Sequence, residues 1–426
     1  MAIAERPAID YDCLIERDRV HGRLYYDPRI FAEELEKIWY REWIYVGHES
    51  EVPTPGDYRT RRIGLQPIIM LRGDDGEIRL VANRCSHRGN TLCQTDRGNA
   101  RAIHCAYHGW AYNSRGELLA VPYASGYGPD FCKADYNLPQ VPRVASYRGF
   151  IWGSLSPTGI SLDEHIGHAR KLLDAIVDLS PEGAVEVNAG SNKLRFQANW
   201  KMWLENAVDN YHQNVVHPSA FAAQSAVLRK RAAIVSSDAS AAVVRDLGRG
   251  NAQLDFWPQQ RLTGRHYTGA AAPVPAEVAY AEALERRYGK EKATQLLADG
   301  PPHVVIFPNF FYFQHDIRVI QPIAPGLSYY YEYPVLLKGV APELNAQRLR
   351  RHEAAYGPAG FVLADDLEMW ERNHRALEAR LDEWMTLRRG LHREHPDADG
   401  LLVSHIADET AMRGIWRHYK ALMTRP

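Results

Sequence analysis

Two pairs of metal-binding side chains constrain this chain more than any other feature. They are Cys85-Ser-His87 and Cys105-Ala-Tyr-His108, with seventeen residues between His87 and Cys105. Each pair offers one soft thiolate and one imidazole from a glycine-flanked loop. Four such donors can hold a zinc ion tetrahedrally. They can equally hold a [2Fe–2S] cluster, with both cysteines on one iron and both histidines on the other. Gly89 and Gly109 follow the two pairs. They let the backbone approach closely, so that N–H groups can bond to sulfur, which favours the cluster.

The surroundings of the pairs suit such loops. From about 44 to 158, short apolar runs (IYVG, PIIML, IRLV, GFIWGSL) alternate with Pro/Gly/Asp turns, which predicts a small antiparallel β domain. GDDGE within it is a hairpin signal. Residues 28–43 predict an amphipathic helix, with Phe31, Leu35, Ile38 and Trp39 at helical spacing and Pro28 opening it. Residues 161–178 predict another, capped by Ser161 and Glu164. A helix is expected over 276–300, antiparallel strands over 303–337, and helices around PELNAQRLRRHEAAYG and DDLEMWERNHRALEARLDEWM. Residues 219–275 show the least pattern and predict a long loop or lid.

At roughly 100–200 residues per domain, 426 residues make two to three domains. The expected fold is α+β: a β domain over 44–158, an N-terminal helical segment over 1–43, and a larger domain over 159–426. Lys+Arg number 51 and Asp+Glu 52, for a net charge of −1. This balance gives no bulk electrostatic reason to bind nucleic acid or an anionic membrane. No apolar run approaches the ~18–20 residues of a membrane span, and the N-terminus lacks the apolar core of a signal peptide. A cytoplasmic location is the expectation. Cys93, Cys13 and Cys132 then read as small core residues.

A second constellation lies at NWKMWLENAVDNYHQNVVHPSAF, residues 199–221. Asp209 and His212 are three apart and would share a helix face. His217 lies five further on, about 140° round an ideal helix. For both imidazoles to reach one metal, the helix must bulge or end before His217, and Pro218 makes an ending plausible. Two histidines and one carboxylate form the facial triad of non-haem Fe(II) oxygenases. The carboxylate must come from elsewhere, and Asp365 and Asp366 in GPAGFVLADDLEMW are the candidates. An Asp pair at a helix start is also an ordinary cap.

Together these motifs resemble the Rieske non-haem iron aromatic-ring-hydroxylating oxygenases, large (alpha) subunit. The likeness spans nearly the whole chain, with the motifs in the same order. Cys93 has no partner in the second loop and Tyr107 stands between Cys105 and His108, unlike the disulfide-bearing Rieske protein of respiratory complexes. The three-residue gap between Glu205 and Asp209 resembles the benzoate, toluate, anthranilate, salicylate and terephthalate branch.

The resemblance implies a Rieske domain inserted in a catalytic domain whose antiparallel sheet is gripped by helices. It implies Cys85, His87, Cys105 and His108 on the cluster. His212, His217 and Asp366 would hold a mononuclear Fe(II), with Asp365 as fallback. Asp209 would bridge His108 of one chain to His212 of the next, and Asn206, beside Glu205, would lie near the iron. Val208, Phe307, Tyr356 and Val362 would line the substrate pocket. An aromatic acid would need a buried cation, and Arg318 and the Arg-rich stretch 228–265 are the positions open to that role.

The implied reaction joins O2, two electrons and two protons to an aromatic ring, as cis-dihydroxylation or monohydroxylation. No G-x-G-x-x-G nucleotide site follows a strand, since GYGPDF at 126–131 lacks the third glycine. Electrons would come from a separate NAD(P)H-dependent reductase, with or without a ferredoxin. The assembly would be a homotrimer, or an α3β3 ring with a small β subunit. Two other readings stand beside this one: a Rieske monooxygenase performing oxidative demethylation, and a non-enzymatic electron-transfer or zinc-structural protein.

Overall fold

The computed structural model describes residues 8–220, 222, 238–263 and 275–425. They form two compact units. One comprises Trp39–Leu162 with Glu186–Asn188, and the other comprises the chain up to Ile38, Asp163–Val185 and the chain from Ala189 onward.

The smaller unit is all β. A four-stranded antiparallel sheet is built from Asp57–Ile63, Gln66–Arg72, Ile78–Ala82 and Arg97–Asn99. The GDDGE run is its tight hairpin, with Arg72 opposite Ile78 and Gly73 N–H donating to Glu77 O. Ala102–His104, Ala111–Asn113 and Leu118–Ala120 form a second sheet, and Ile44–His48, Arg143–Tyr147 and Phe150–Ser154 a third. One apolar core includes Ile69, Leu71, Val81, Ile103, Trp110 and Tyr112, and Cys85 and Cys105 belong to it.

The larger unit is organised by a nine-stranded antiparallel sheet. The strands Asp316–Ala324 and Leu327–Pro334 pair along their length, from Asp316 opposite Pro334 to Ala324 opposite Leu327. The helices Trp200–Ala207 and Leu363–Ala376 lie on one face, where Trp203 meets Phe311 and Tyr330, and Trp370 meets Tyr330 and Phe196. The helix Thr410–Met423 packs against Val243–Gly248 and Asn251–Asp255.

Several helices are shorter than their sequence patterns suggest. The first runs Pro28–Glu34 from an Asp27 cap, then widens into a π turn over Leu35–Trp39. The 161–178 pattern breaks at Gly167 into Leu162–Ile166 and Arg170–Asp178. The 276–300 pattern breaks at Gly289 into Pro275–Tyr288 and Lys290–Asp299.

The expectation of a loop or lid over 219–275 is corrected for the described part. Residues 243–255 supply two strands inside the sheet, and Trp257–Thr263 is a helix. Polar residues hide these strands in the sequence, because Asn251, Gln253 and Asp255 are buried. Residues 221, 223–237 and 264–274 lie outside the described residues.

Candidate metal centres

The two Cys/His loops share one backbone design. In the first, Cys85 N–H donates to Asn90 O and Gly89 N–H to Cys85 O; in the second, Cys105 N–H donates to Trp110 O and Gly109 N–H to Cys105 O. Both turns close through a glycine at positive φ, +76° at Gly89 and +72° at Gly109, a conformation that L side chains rarely adopt.

The donors carry the chemistry a ligand needs. Burial raises the Cys105 thiol, but the N–H groups of Tyr107 and His108, then Cys85 and Asn90, outweigh it and hold its pKa below the usual thiol value. Burial alone pushes Cys93 up to about 11, so it stays a thiol in the core, as expected for it. Cys13 and Cys132, in contrast, are exposed and not core residues. Cys13 donates to Asp10 Oδ2 in a surface turn at 3.0 Å, so turn geometry overrides its apolar character.

Burial and then His108 hold His87 below the usual imidazole range, and its Nδ1 is buried without a hydrogen-bond partner. The His87 and His108 rings stand 4.6 Å apart, and Trp110 stacks on His87 at 4.9 Å. Tyr112 OH lies 3.3 Å from Cys85 Sγ and accepts Ser86 N–H at 3.1 Å. Asn90 Nδ2 lies 3.7 Å from Cys105 Sγ. Tyr112 was not singled out from the sequence. Its place on the short strand Ala111–Asn113, directly after the second Cys/His loop, was the available signal.

The second site forms where a helix stops. Asn199 caps the helix Trp200–Ala207 by accepting Lys201 N–H. The helix ends at Val208, so Asp209 and His212 do not share a helix face as expected. Instead Asp209 Oδ1 accepts Tyr211 N–H at 2.6 Å in a local turn, a bond that competes with helix continuation. Asp209 Oδ2 then faces His212 Nδ1 at 3.3 Å, and a single turn, Gln213–Val216, carries the chain to His217.

The carboxylate arrives on the helix Leu363–Ala376. The chain reaches it by a tight return in which Phe361 and Val362 N–H groups donate to Ala354 and Ala355 O. A Cβ on Gly360 would meet Ala355 at 2.6 Å, so the return needs glycine there. His217 Nε2 and His212 Nε2 lie 3.2 and 3.4 Å from the same Asp366 oxygen, Oδ1. Asn206 Nδ2 donates to that oxygen at 3.2 Å. Asp365 is directed to His217 Nδ1, at 3.4 Å. Burial opposes charge on His212, but Asp209 and Asp366 prevail and push it up to about 9. Burial likewise raises Asp366, yet the two histidines hold it down at about 2.

His212, His217 and Asp366 are the one group of three or more such donors, among the described residues, whose ligand atoms all lie within 4.8 Å of one another. They fit a single ion with positions left open. The Cys85, His87, Cys105 and His108 donors do not close to that compass.

The remaining candidates are more dispersed. Val208 is buried at the helix end, and Val362 is half-buried where the carboxylate helix begins. Tyr356 is buried beneath the Arg318 guanidinium, 3.8 Å from its ring centre. Phe307 packs on Trp200 and His418 and lines a small cavity with Glu205 and Trp416. Glu205 Oε1 accepts from Tyr25 OH and Trp416 Nε1 at 2.6 and 2.7 Å, and burial pushes it up to about 7. Among the Arg-rich 228–265 candidates, Arg245 pairs with Asp255 and Asp397, and Arg261 with Asp299.

This pairing of a two-loop Cys/His site with a His/His/Asp site defines a two-centre iron oxygenase. Residues 42–147 match the Rieske [2Fe-2S] domain, and residues 184–425 match the ring hydroxylating alpha subunit catalytic domain. The chain belongs to the ring-hydroxylating oxygenase alpha-subunit family, and its cofactors are a Rieske cluster and a mononuclear iron.

Similar proteins include toluate 1,2-dioxygenase subunit alpha of Pseudomonas putida. It is 33% identical over 86% of this chain and 82% of the relative. The 2-halobenzoate 1,2-dioxygenase large subunit of Burkholderia cepacia is 30% identical over 90% and 82%. These relatives agree with the benzoate and toluate branch. A structure of naphthalene 1,2-dioxygenase with indole in its active site superposes with a TM-score of 0.84 at 27% identity, covering 98% of this chain and 95% of that one. Among the described residues, no helix is long and apolar enough to cross a membrane.

Proposed function

We propose that this chain is the terminal oxygenase component of a multicomponent system that dihydroxylates or monohydroxylates an aromatic carboxylate. The observation that carries the catalytic assignment is the convergence of His212 and His217 Nε2 on one Asp366 oxygen. Toluate and halobenzoate in the relatives' names support the substrate class.

In this reading Cys85 and Cys105 hold one iron of the cluster, and His87 and His108 the other. His212, His217 and Asp366 hold the mononuclear Fe(II). When bound, the cluster passes single electrons and the ferrous ion activates O2.

The chain's own residues prepare those sites. Asp209 and Asp365, facing the Nδ1 atoms of His212 and His217, fix the ring orientations that present Nε2 to the metal. Asn206 holds Asp366 Oδ1 in place against both imidazoles. Tyr112 donates toward Cys85, and burial followed by Cys85 raises its pKa, so it keeps its proton.

Asp209 also bridges to His108 of a neighbouring chain, in a homotrimer or an α3β3 ring. A separate reductase, with or without a ferredoxin, supplies the electrons. Residues 44–158 form the electron-carrying domain, 159–426 the catalytic domain, and 1–43 a helical segment serving the latter. The Cys85 and Cys105 thiolates suit a reducing compartment, and the cytoplasm is the location this reading assigns.

Oxygenation of benzoate and 3-methylbenzoate under 18O2, with a surrogate reductase, tests the proposal. Label incorporated into a ring product is expected, two atoms for dihydroxylation and one for monohydroxylation. An iron-loaded enzyme that oxidises neutral arenes but no aromatic acid would remove the substrate class.

A further inference from the structure

An aromatic carboxylate entering a buried site needs a cation, and the catalytic unit holds a buried one with idle donors. Arg318 lies on the strand Asp316–Ala324 and is 8% exposed. Its Nε and Nη2 make no hydrogen bond. The nearest carboxylate oxygens, Asp316 Oδ2 and Glu332 Oε1, are each 3.8 Å away, beyond hydrogen-bond reach.

Both acids are engaged elsewhere. Asp316 Oδ1 meets His352 Nδ1 at 2.6 Å, and Glu332 Oε1 accepts Tyr330 OH at 2.8 Å. Burial opposes charge on His352, but Asp316 beside it raises its pKa above the ordinary imidazole value. Burial pushes Glu332 up to about 8, so at neutral pH it is mostly the uncharged acid. Its Oε2 is without a partner, as is Asp316 Oδ2. The Arg318 guanidinium is thus left with the Nε–Nη2 edge of its fork open.

The surroundings are aromatic and lead to the iron ligands. The guanidinium lies over Tyr356 at 3.8 Å and 5.0 Å from the Phe311 ring centre. Tyr356 ends the helix before the tight return to Asp366. Phe311 packs on His303 at 4.8 Å, and His303 Nε2 donates to Ala207 O, one residue beyond Asn206. His303 accepts Leu254 N–H at Nδ1, and burial holds it neutral, down at about 3. Among the described residues of this wall, Arg318 is thus a cation with donors left for an acid.

We propose that Arg318 anchors the carboxylate of the substrate, its Nε and Nη2 forming a bidentate fork while the ring lies along Phe311 and Tyr356 toward His212, His217 and Asp366. This inference rests on the aromatic-acid reading above and gives that reading a selectivity residue. A carboxylate fixed at one end determines which ring carbons face the iron ligands.

Calorimetric titration of the iron-loaded enzyme with benzoate, 3-methylbenzoate and benzamide tests it without turnover. Wild type is expected to favour the acids over benzamide. Arg318→Gln is expected to bind the acids about 50-fold more weakly, with benzamide changed less than about three-fold. Arg318→Lys, a point charge without the fork, should fall between. A folded Arg318→Gln enzyme that binds the acids like wild type overturns the anchor while leaving the substrate class standing. Wild type that binds none of the acids but oxidises neutral arenes overturns the class itself. Should Arg318→Gln fail to fold, the wild-type comparison still decides, since equal affinity for benzoate and benzamide contradicts a charged fork.

Discussion

Asp209 has two oxygens and two tasks. One oxygen holds the turn through Tyr211 N–H, and the other faces His212 Nδ1. Asp209→Asn keeps the turn but loses the charge beside the imidazole. Both metals should stay bound while turnover nearly disappears, as measured by iron content and single-turnover oxygenation. Full activity in that variant would contradict the bridging role.

The same residue predicts a pH dependence. His212 is raised to about 9 against an ordinary 6.5, so its protonated form favours the folded, metal-free protein. That stabilisation is complete below about pH 6.5 and is lost as pH rises through about 9, on the order of 3 kcal/mol. Urea unfolding of the metal-free protein at pH 6 and 9.5 should show this loss, and His212→Asn should remove it. Iron replaces the proton, so iron-loaded protein should show less of the dependence.

At the scale of elements, the iron-site helix is held by a buried polar cluster. Glu34 accepts from Lys201 Nζ, from Trp200 Nε1 at 2.9 Å and from Tyr419 OH at 2.6 Å. Lys201→Met leaves Glu34 buried without its cation. This should cost about 3–5 kcal/mol in chemical denaturation, with iron lost before cluster colour. A variant as stable as wild type would show that the cluster does not hold the helix.

The elements also show what the sequence could reveal. Both Cys/His loops were legible because their donors sit close together along the chain. So were the paired strands of 303–337, whose apolar runs are continuous. The end of the helix at Ala207 was not, because it turns on a side-chain bond from Asp209 that no periodicity records. The strands at 243–255 were hidden by their buried polar residues. The breaks at Gly167 and Gly289 lay inside otherwise regular apolar patterns.

Over the whole molecule, two metal centres are built by different means. The cluster site comes from two neighbouring loops of one β unit, and its sulfurs are tuned by N–H and hydroxyl donors. Tyr112→Phe removes one such donor from Cys85. The cluster's reduction potential should fall, as read by redox titration of the visible spectrum; an unchanged potential would mean the bond is not made to the charged sulfur. The iron site instead gathers residues from segments more than a hundred positions apart. For the third ligand the residues alone offer two adjacent aspartates and the family resemblance favours Asp366 over Asp365; the return at Gly360 brings Asp366 Oδ1 beside both imidazoles.

Both centres are assigned to one chain, so its metal content reports on them together. Iron and acid-labile sulfide should be measured on the purified protein alongside its visible spectrum. About three irons and two sulfides per chain are expected, with a red-brown colour that bleaches on reduction. A colourless zinc protein that takes up no iron on anaerobic reconstitution would contradict it.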